Sequence, residues 1–471
     1  MEQTPLKLYI DRRKVCSSET SKTSDEAGTP LFIMTLQFSR IWRILPIFLA
    51  CVAWSSAAAD LETIYEWKYI DYVWESDAEK EAAVANETYD YTNIVVVDVQ
   101  SLPDDRVIVT TPRYKNNPAT LSVISSQSAD NGPLLQPYPS WSWNNADDCS
   151  GFTSVNRVYL DQCNRLWLVD SGKIGNEQVC SAKIFGFDPS TDEMLYNMTI
   201  PDNISHNPTN TSQGRLELQV VETTGDNCEN TWLYISDLEG YGLLISNLTA
   251  TWRLQDKIFE PDYSDASATN FTSCDESVDM YLGPSGLLIF PPGFVEDGNY
   301  LIFKPMSKIK SYTVNVDELH NSWTGSELSF YLSTYTPPSQ EPAKTYTKEG
   351  LLFANFISAN AIGCWHLEHP LADANVAELT QDDERLQFVF SLKMKHFTNG
   401  TQELWVMSNR LQKFILGTVD FTDVNIRIMT VEPYAYVEGT VCEPESYEVV
   451  DTIFEKNYTL YEQSACLYTP S

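Results

Sequence analysis

The chain has 471 residues, of which 43% are hydrophobic and 12% aromatic, and its formal net charge at pH 7 is −34. This length is enough for one large core or for several domains. A surface with 65 acidic and 31 basic residues repels nucleic acid and anionic membranes, so we expect neither as a partner.

A targeting signal lies near the N-terminus, but not at its very start. Residues 34–59 contain Arg40 and Arg43, then an apolar run, then three alanines before Asp60. This order is typical of a secretory signal peptide, and the apolar run is too short to span a membrane in the mature protein. Residues 1–33 form an atypical N-terminal extension, and a type II membrane anchor is the alternative. We therefore predict a secreted, extracellular protein with no membrane attachment after cleavage.

Short strands dominate the pattern after the signal. Aromatic and β-branched residues alternate over residues 65–74, which predicts a strand with one buried face. Residues 77–85 predict a short surface helix, and residues 93–99 another strand. Since no long amphipathic helical stretch follows, we expect an all-β protein.

One kind of strand recurs along the rest of the chain. RLWLVDSG at residues 165–172 is a short apolar run bounded by turn formers, and five other segments share its shape. These six organising strands begin at residues 106, 165, 231, 286, 350 and 403, at intervals of 53 to 66 residues. Such near-constant spacing indicates a repeat architecture.

Each organising strand is followed by further short apolar segments, which together have the content of one propeller blade. Because no single unit buries both faces of its sheet, we predict a six-bladed β-propeller with a central channel over residues 60–442. Residues 65–74 or 93–99 are candidates to complete the last blade. Residues 443–471 form a C-terminal tail, and a disulfide is expected to pin this end of the chain over one face. Two β-sandwiches are the alternative architecture.

The cysteines agree with an oxidising compartment. Eight of the ten lie beyond the signal peptide, and an even number in a secreted chain predicts disulfides. Sequence does not fix the pairing, so Cys180 with Cys228, and Cys364 with Cys442, are hypotheses from their order in the repeats. The eight candidates are Cys149, Cys163, Cys180, Cys228, Cys274, Cys364, Cys442 and Cys466.

Glycosylation signals point to the same compartment. The triplet Asn-x-Ser/Thr occurs eight times, and behind a signal peptide this number predicts a glycoprotein. The predicted acceptors are Asn86, Asn197, Asn203, Asn210, Asn247, Asn270, Asn399 and Asn457.

The sequence contains no recognisable catalytic motif. There is no G-x-S-x-G elbow, no H-E-x-x-H, no phosphate-binding glycine loop and no C-x-x-C pair. His366, Glu368 and His369 form the densest metal-like cluster, but Pro370 follows directly and favours a blade-edge loop. We expect neither a metal nor a cofactor, and the catalytic residues, if any, are not identified.

The ends of the organising strands carry polar residues directly after apolar runs. If these strands are innermost, such residues converge on the channel and form a small-molecule site. Asp170 and Asp237 would attract an ammonium, which Phe356 or Trp365 would face through cation–π contact. The alternative is that they satisfy strand-end backbone groups and turns. The channel candidates are Thr110, Asp170, Ser171, Asp237, Asn355, Phe356, Ser408 and Asn409.

Five segments together resemble the yellow / major royal jelly protein family. The first is DQCNRLWLVDSG at residues 161–172, preceded by Asp148 and Cys149. The others are VTTPRY with PATL (109–121), YISD with GYGLL (234–244), NAIGCW (360–365) and LWVMSNR (404–410). The resemblance runs in order from about Trp67 to Cys442.

This resemblance implies a secreted six-bladed propeller of insect type, in agreement with the spacing of the strands. It implies less about activity, because one fold hosts several functions. The first hypothesis is a role in cuticle or eggshell pigmentation or matrix hardening, through catechol-derived metabolites. The alternatives are a binder of small biogenic amines without turnover, and a dopachrome-converting enzyme.

The chain also departs from the commoner family pattern in two places. The turn after the Asp-Ser-Gly stretch is shortened to residues 173–176, and the fourth blade, residues 279–292, matches poorly. Both changes affect a channel mouth, so the family's ligands are not carried over. A small aromatic amine or a catechol metabolite is the expected partner, and the sequence does not give the oligomeric state.

Overall fold

The computed structural model describes residues 59–115, 117–146, 148–225, 227–290, 298–333 and 335–444. The predicted extension, the signal peptide up to residue 58, Asn457 and Cys466 therefore lie outside the described residues. Within them, short antiparallel strands form six four-stranded sheets. The prediction of an all-β, six-bladed propeller is confirmed.

The first three blades each take their four strands in chain order, from the axis outward. Blade one comprises Asp98–Ser101, Val107–Thr110, Leu121–Ala129 and Gly132–Pro137. Blade two comprises Val155–Leu160, Leu166–Asp170, Lys183–Asp188 and Glu193–Thr199. Blade three comprises Leu216–Thr224, Asn230–Asp237, Gly242–Ser246 and Thr251–Gln255.

The last three blades follow the same plan, except that blade six borrows its outer strand from the N-terminus. Blade four comprises Pro284–Ile289, Tyr300–Pro305, Tyr312–Asn315 and Phe330–Leu332. Blade five comprises Lys344–Tyr346, Leu351–Phe356, Ala361–His366 and Val376–Gln381. Blade six comprises Val389–His396, Gln402–Ser408, Ile426–Val431 and Glu62–Trp67.

The ring is closed by hydrogen bonds between the two ends of the chain. Glu62–Trp67 pairs antiparallel with Ile426–Val431, so part of the predicted 65–74 segment completes the last blade. The first strand of each blade lies nearest the axis, and these six strands contact one another in order around a closed ring. Closure leaves each sheet flanked by two others, so both of its faces are covered.

The organising strands are not the innermost strands, which corrects one expectation from the sequence. In five blades the organising strand is the second strand from the axis, and only in blade four is it the first. The second strand is buried on both faces and therefore reads as a continuous apolar run. Several inner strands carry charged residues, such as Asp98, Arg157 and Glu217, so their apolar signal is weaker.

Helices lie outside the sheets. Asp77–Ala85 begins at Ser76, whose side chain accepts a hydrogen bond from the Glu79 amide, and it has no buried residue, as predicted for a surface helix. No helix among the described residues is long and apolar enough to cross a membrane. The remaining α-helices are Ala266–Thr269, Val316–Asn321, Leu411–Leu416 and Pro433–Tyr436. The 3-10 turns are Tyr91–Asn93, Trp141–Asn144, Lys257–Phe259, Ser322–Thr324 and Asp373–Asn375.

Two short hairpins complete the secondary structure. Lys173–Ile174 pairs with Glu177–Gln178, and Asn270–Ser273 pairs with Glu276–Asp279. The second hairpin leaves the chain between blades three and four, yet Phe271 packs on Phe388 and Glu276 binds Lys413, both beyond blade five. It therefore crosses one end of the ring and covers part of the channel mouth.

Three disulfides join described cysteines. They are Cys149–Cys180, Cys163–Cys228 and Cys364–Cys442. The hypothesis of Cys364 with Cys442 is confirmed, and it ties the C-terminal segment to the third strand of blade five. The hypothesis of Cys180 with Cys228 is wrong, because each pairs with a cysteine of a different turn. Cys274 is unpaired among the described residues.

The predicted glycosylation acceptors lie at the surface. Asn86, Asn197, Asn203, Asn210 and Asn399 are exposed. Asn247 and Asn270 are half-buried, the latter on the hairpin that crosses the channel mouth. Each described acceptor is therefore placed where a glycan has access to solvent, and their modification stays a prediction.

Candidate functional site

Three of the channel candidates join one blade to the next. The Thr110 hydroxyl donates to the Asn156 carbonyl of blade two (2.7 Å). The Asn355 amide donates to the Val389 carbonyl of blade six (2.9 Å). The Asn409 amide donates to the Val96 carbonyl beside blade one (2.8 Å). Since all three side chains are buried, their polar groups serve to connect the blades.

The two aspartates proposed to attract an ammonium already have partners. Asp170 accepts hydrogen bonds from the backbone amides of Thr153, Ser154 and Gly172 at 2.7–3.0 Å. Its burial is the main cause that raises its pKa, against the effect of these bonds. Asp237 forms an ion pair with Arg253 (2.8 Å) and accepts from two backbone amides. Neither carboxylate is open to a ligand amine in this structure.

The two serine candidates also satisfy backbone groups. The Ser171 hydroxyl donates to the Ser154 carbonyl (3.1 Å), and the Ser408 hydroxyl donates to the Arg385 carbonyl (2.5 Å). Both residues are buried. Seven strand-end candidates thus bind groups of the protein itself, and their role as ligand contacts stays a prediction: Thr110, Asp170, Ser171, Asp237, Asn355, Ser408 and Asn409.

The axis is occupied by an ion cluster that sequence reasoning missed. Arg157 of blade two binds Glu217 of blade three (3.1 Å) and approaches Asp98 of blade one (3.8 Å). Lys393 of blade six binds Asp98 from the other side (3.3 Å). Arg157 also donates to the Phe390 carbonyl of blade six (3.1 Å), so it reaches across blade one. We call Asp98, Arg157, Glu217 and Lys393 the axial cluster.

The axial cluster is electrically balanced, and its members are buried except Lys393, whose side chain is 17% exposed. The exposed fractions of the Asp98, Glu217 and Arg157 side chains are 0%, 2% and 7%. Burial raises the pKa of Glu217 and lowers the pKa of Lys393, because both charged forms lose hydration. Arg157 Nη2 has no hydrogen-bond partner among the described residues. The signal in the sequence was a charged residue in the weakly apolar strand before the organising strand of blades one, two, three and six.

A cavity lies between blades four and five, away from the axial cluster. It opens to solvent, and about 30 Å³ of it is free for the centres of water molecules. In a strand, every second side chain lies on the same face of the sheet. One wall of the cavity is formed by such residues from two strands of blade five, and the opposite wall is formed by blade four. The apolar wall comprises Ile302, Leu352, Ala354, Phe356, Gly363 and Trp365.

Phe356 is the one strand-end candidate that lines this cavity, and Trp365 lines it too. The sequence had assigned both as partners of an ammonium held by Asp170 or Asp237, which lie in blades two and three. The Phe356 ring rests on Gly363, where a side-chain methyl group would overlap it. Glycine at this position therefore gives the ring its place in the wall.

The inner end of the cavity is charged. Glu341 and Lys344 line it, and Glu341 forms ion pairs with Lys344 (3.1 Å) and Lys304 (3.4 Å). Lys304 lies two residues after Ile302 on the same strand face. Its burial lowers the pKa of Lys304 to about 8, against the opposing effect of Glu341. We call Lys304, Glu341 and Lys344 the lysine end.

These features define a class of protein: a six-bladed propeller closed by its N-terminal strand and cross-linked by disulfides. The major royal jelly protein family profile matches residues 153–442. Major royal jelly protein 1 of Apis mellifera is 33% identical over 397 residues, covering 81% of this chain and 90% of that protein. The chain belongs to the major royal jelly protein family.

A second relative and a solved structure are also similar to this chain. Major royal jelly protein 9 of Apis mellifera is 31% identical over 426 residues, covering 87% of this chain and 97% of that protein. A virginiamycin B lyase from Staphylococcus aureus, solved as an inactive variant with quinupristin, is 11% identical with a TM-score of 0.37, over 73% of this chain and 97% of that chain. At that level the lyase supports no functional comparison.

Proposed function

We propose that this protein is secreted and binds a small aromatic metabolite, derived from a catechol or related phenol, without converting it. Through that binding it acts in pigmentation or hardening of an extracellular matrix. The observation that carries the proposal is the cavity between blades four and five, where the apolar wall, with the rings of Phe356 and Trp365, meets the lysine end. Cavities with apolar walls and a few polar groups are the usual sites for small molecules.

The axis is a weaker candidate for the binding site. Its four charged side chains bind one another, and a hairpin crosses one mouth of the channel. A ligand there would have to break buried ion pairs, which costs several kcal/mol in similar cases, about 3–5. Binding in the cavity breaks no ion pair, although its closely packed walls must separate to admit a ring. We therefore place the ligand between the blades.

Secretion is supported by disulfides among described residues and by exposed acceptor asparagines. The test is expression of the full chain in insect cells, followed by analysis of the medium. We expect glycosylated protein in the medium with Asp60 as its N-terminal residue. Retention of uncleaved protein in membranes would support the type II anchor instead.

Binding is tested by calorimetry and thermal unfolding of the secreted protein with catechols, phenols and dopachrome. A ligand that binds the native state raises the unfolding midpoint, by about 2.7 kcal/mol in stability at a hundredfold excess over its Kd. Trp365→Ala should weaken binding, whereas Trp323→Ala, which removes a 68% exposed tryptophan elsewhere, should not. Consumption of dopachrome would overturn the proposal in favour of an enzyme, and no binding by any compound would overturn it altogether.

A further inference from the structure

The lysine end carries more positive than negative charge. Glu341 is its one carboxylate, and it is shared by the ammonium groups of Lys304 and Lys344. The side chains of these three residues are at most 6% exposed. A buried charge that lacks a counterion is costly, so this end of the cavity favours an added negative charge.

The two ammonium groups also have spare donors. An ammonium has three N–H groups. Lys344 donates to the carbonyl and the carboxylate of Glu341, and Lys304 donates to the Ser339 carbonyl and to Glu341. Among the described contacts each therefore has one donor left. Lys344 lines the cavity, so its donor is placed to meet a ligand.

The other groups around the cavity add little negative charge to balance the two lysines. Tyr335 also lines the cavity, and its burial raises its pKa, with smaller contributions from Glu341 and Asp373, so its hydroxyl is neutral. Asp373 is exposed at the rim. An ammonium group of a ligand would meet two lysines here, and the one nearby carboxylate, Glu341, is already bound by both of them. Like charges in such proximity disfavour binding.

We infer that the cavity selects an aromatic acid, whose carboxylate binds Lys344 and whose ring packs on the apolar wall. The inference rests on the proposed function, because it assigns the ligand class of the same cavity. It also reverses the expectation of an amine, since the carboxylates offered to an ammonium are occupied and the free donors are lysines. Lys304 acts through Glu341, and so is a positioning residue rather than a ligand contact.

The test uses three probes with one ring and one two-carbon arm. They are 3-(4-hydroxyphenyl)propanoate, which is an anion, 4-ethylphenol, which is neutral, and tyramine, which is a cation. A charge-assisted hydrogen bond contributes about 1.5–3 kcal/mol, so the acid should bind about 10- to 100-fold more tightly than the neutral probe. Tyramine should bind more weakly than either.

The outcomes separate the two proposals. If tyramine binds most tightly, the inference of an acid is wrong while the cavity remains a binding site. If none of the three probes binds, the proposed function itself is wrong. Equal affinity of the acid and 4-ethylphenol would show that the lysine end does not contact the ligand, and would overturn the inference.

Two variants locate the charge effect. Lys344→Met should reduce the affinity of the acid to that of 4-ethylphenol and leave the neutral probe unchanged, whereas loss of structure would weaken both. Glu341→Gln should act in the opposite direction and tighten the acid, so it decides the matter if Lys344→Met does not fold. The control is Lys395→Met, which removes a blade-six lysine that pairs with Asp105 of blade one, and it should change nothing. Unchanged acid binding in both cavity variants would overturn the inference.

Discussion

The axial cluster and the lysine end are both buried groups of charges, yet they differ in balance. The axial cluster sets two cations against two carboxylates drawn from four blades. The lysine end sets two cations against one carboxylate, within blades four and five and the segment between them. The first has its charges compensated by the protein, and the second does not.

The difference separates stability from binding. Compensated charges at the axis link blades that are distant in sequence, so they contribute to the closed ring. Uncompensated charge beside an apolar wall leaves a site that a ligand of opposite charge completes. Substitutions at the axis should therefore unfold the protein, whereas substitutions at the lysine end should change what it binds.

The largest effect is expected at the axis. Arg157→Met leaves Asp98 and Glu217 without their guanidinium, and removal of one partner from a buried ion pair destabilises by about 3–5 kcal/mol. Urea unfolding followed by tryptophan fluorescence measures this loss. Adding Glu217→Gln should recover part of it, because one uncompensated charge is then gone. If Arg157→Met alone leaves stability unchanged, the axial cluster does not hold the ring.

The next effect concerns the link behind the cavity. Replacing Cys364 and Cys442 by alanine frees the C-terminal segment from blade five, and loss of a native disulfide costs about 2–5 kcal/mol. Scanning calorimetry measures the fall in Tm. The control is the same replacement at Cys163 and Cys228, a disulfide at the edge of blades two and three. This replacement should leave ligand affinity unaltered.

A smaller effect on stability, but a clear effect on binding, is expected from Gly363→Ala. The added methyl group overlaps the Phe356 ring, so the ring must move, at a cost of about 1–3 kcal/mol. Affinity for the aromatic acid should fall at least about tenfold, measured by calorimetry. The double variant Gly363→Ala, Phe356→Leu restores space and should recover part of the affinity. Full binding in Gly363→Ala would place the ligand elsewhere.

The effect that is smallest per step is a pH dependence of stability that comes from Lys304, at most about 1.4 kcal/mol for each pH unit. Burial lowers the pKa of Lys304 to about 8 in the folded chain, so between pH 8 and its ordinary range the unfolded chain binds more protons. Stability should therefore rise with pH across this window. Glu341 and Lys344 are the charged groups that face Lys304, and the Ser339 carbonyl completes its surroundings.

Urea unfolding of the wild type and of Lys304→Met at several pH values measures this dependence. The difference in slope between the two proteins belongs to Lys304, because their other titrating groups are the same. If the two proteins give parallel curves of stability against pH, the pKa of Lys304 is not lowered in the folded protein. Binding of the aromatic acid should weaken over the same window, since Lys304 loses its charge.

Much of the fold followed from sequence patterns. Six apolar strands at a near-constant interval predicted six blades. In five blades this strand is the second from the axis, where it is buried on both faces and so is apolar throughout. The sequence also predicted the Asp77–Ala85 helix, and one disulfide pair from repeat order. It misplaced the organising strands at the axis, because the most apolar strand is the most enclosed one and not the one that lines the channel.

The candidate site was predicted less well. Phe356 and Trp365 were singled out, but their supposed partners Asp170 and Asp237 lie in other blades and bind backbone amides or arginine. Lys304, Glu341 and Lys344 were missed, since they come from two blades and a connecting segment with no shared motif. Nothing in a linear pattern marks three charged residues that meet across a blade interface.

The sequence by itself determined the repeat, the composition of each blade and the membership of the family, because these depend on local periodicity and on short contiguous motifs. The tertiary structure decided which strand faces the axis, which carboxylates are occupied and where charge is left uncompensated. Those properties depend on side chains brought together from distant blades by ring closure. The net charge of −34 gave no indication that the cavity has an excess of lysine.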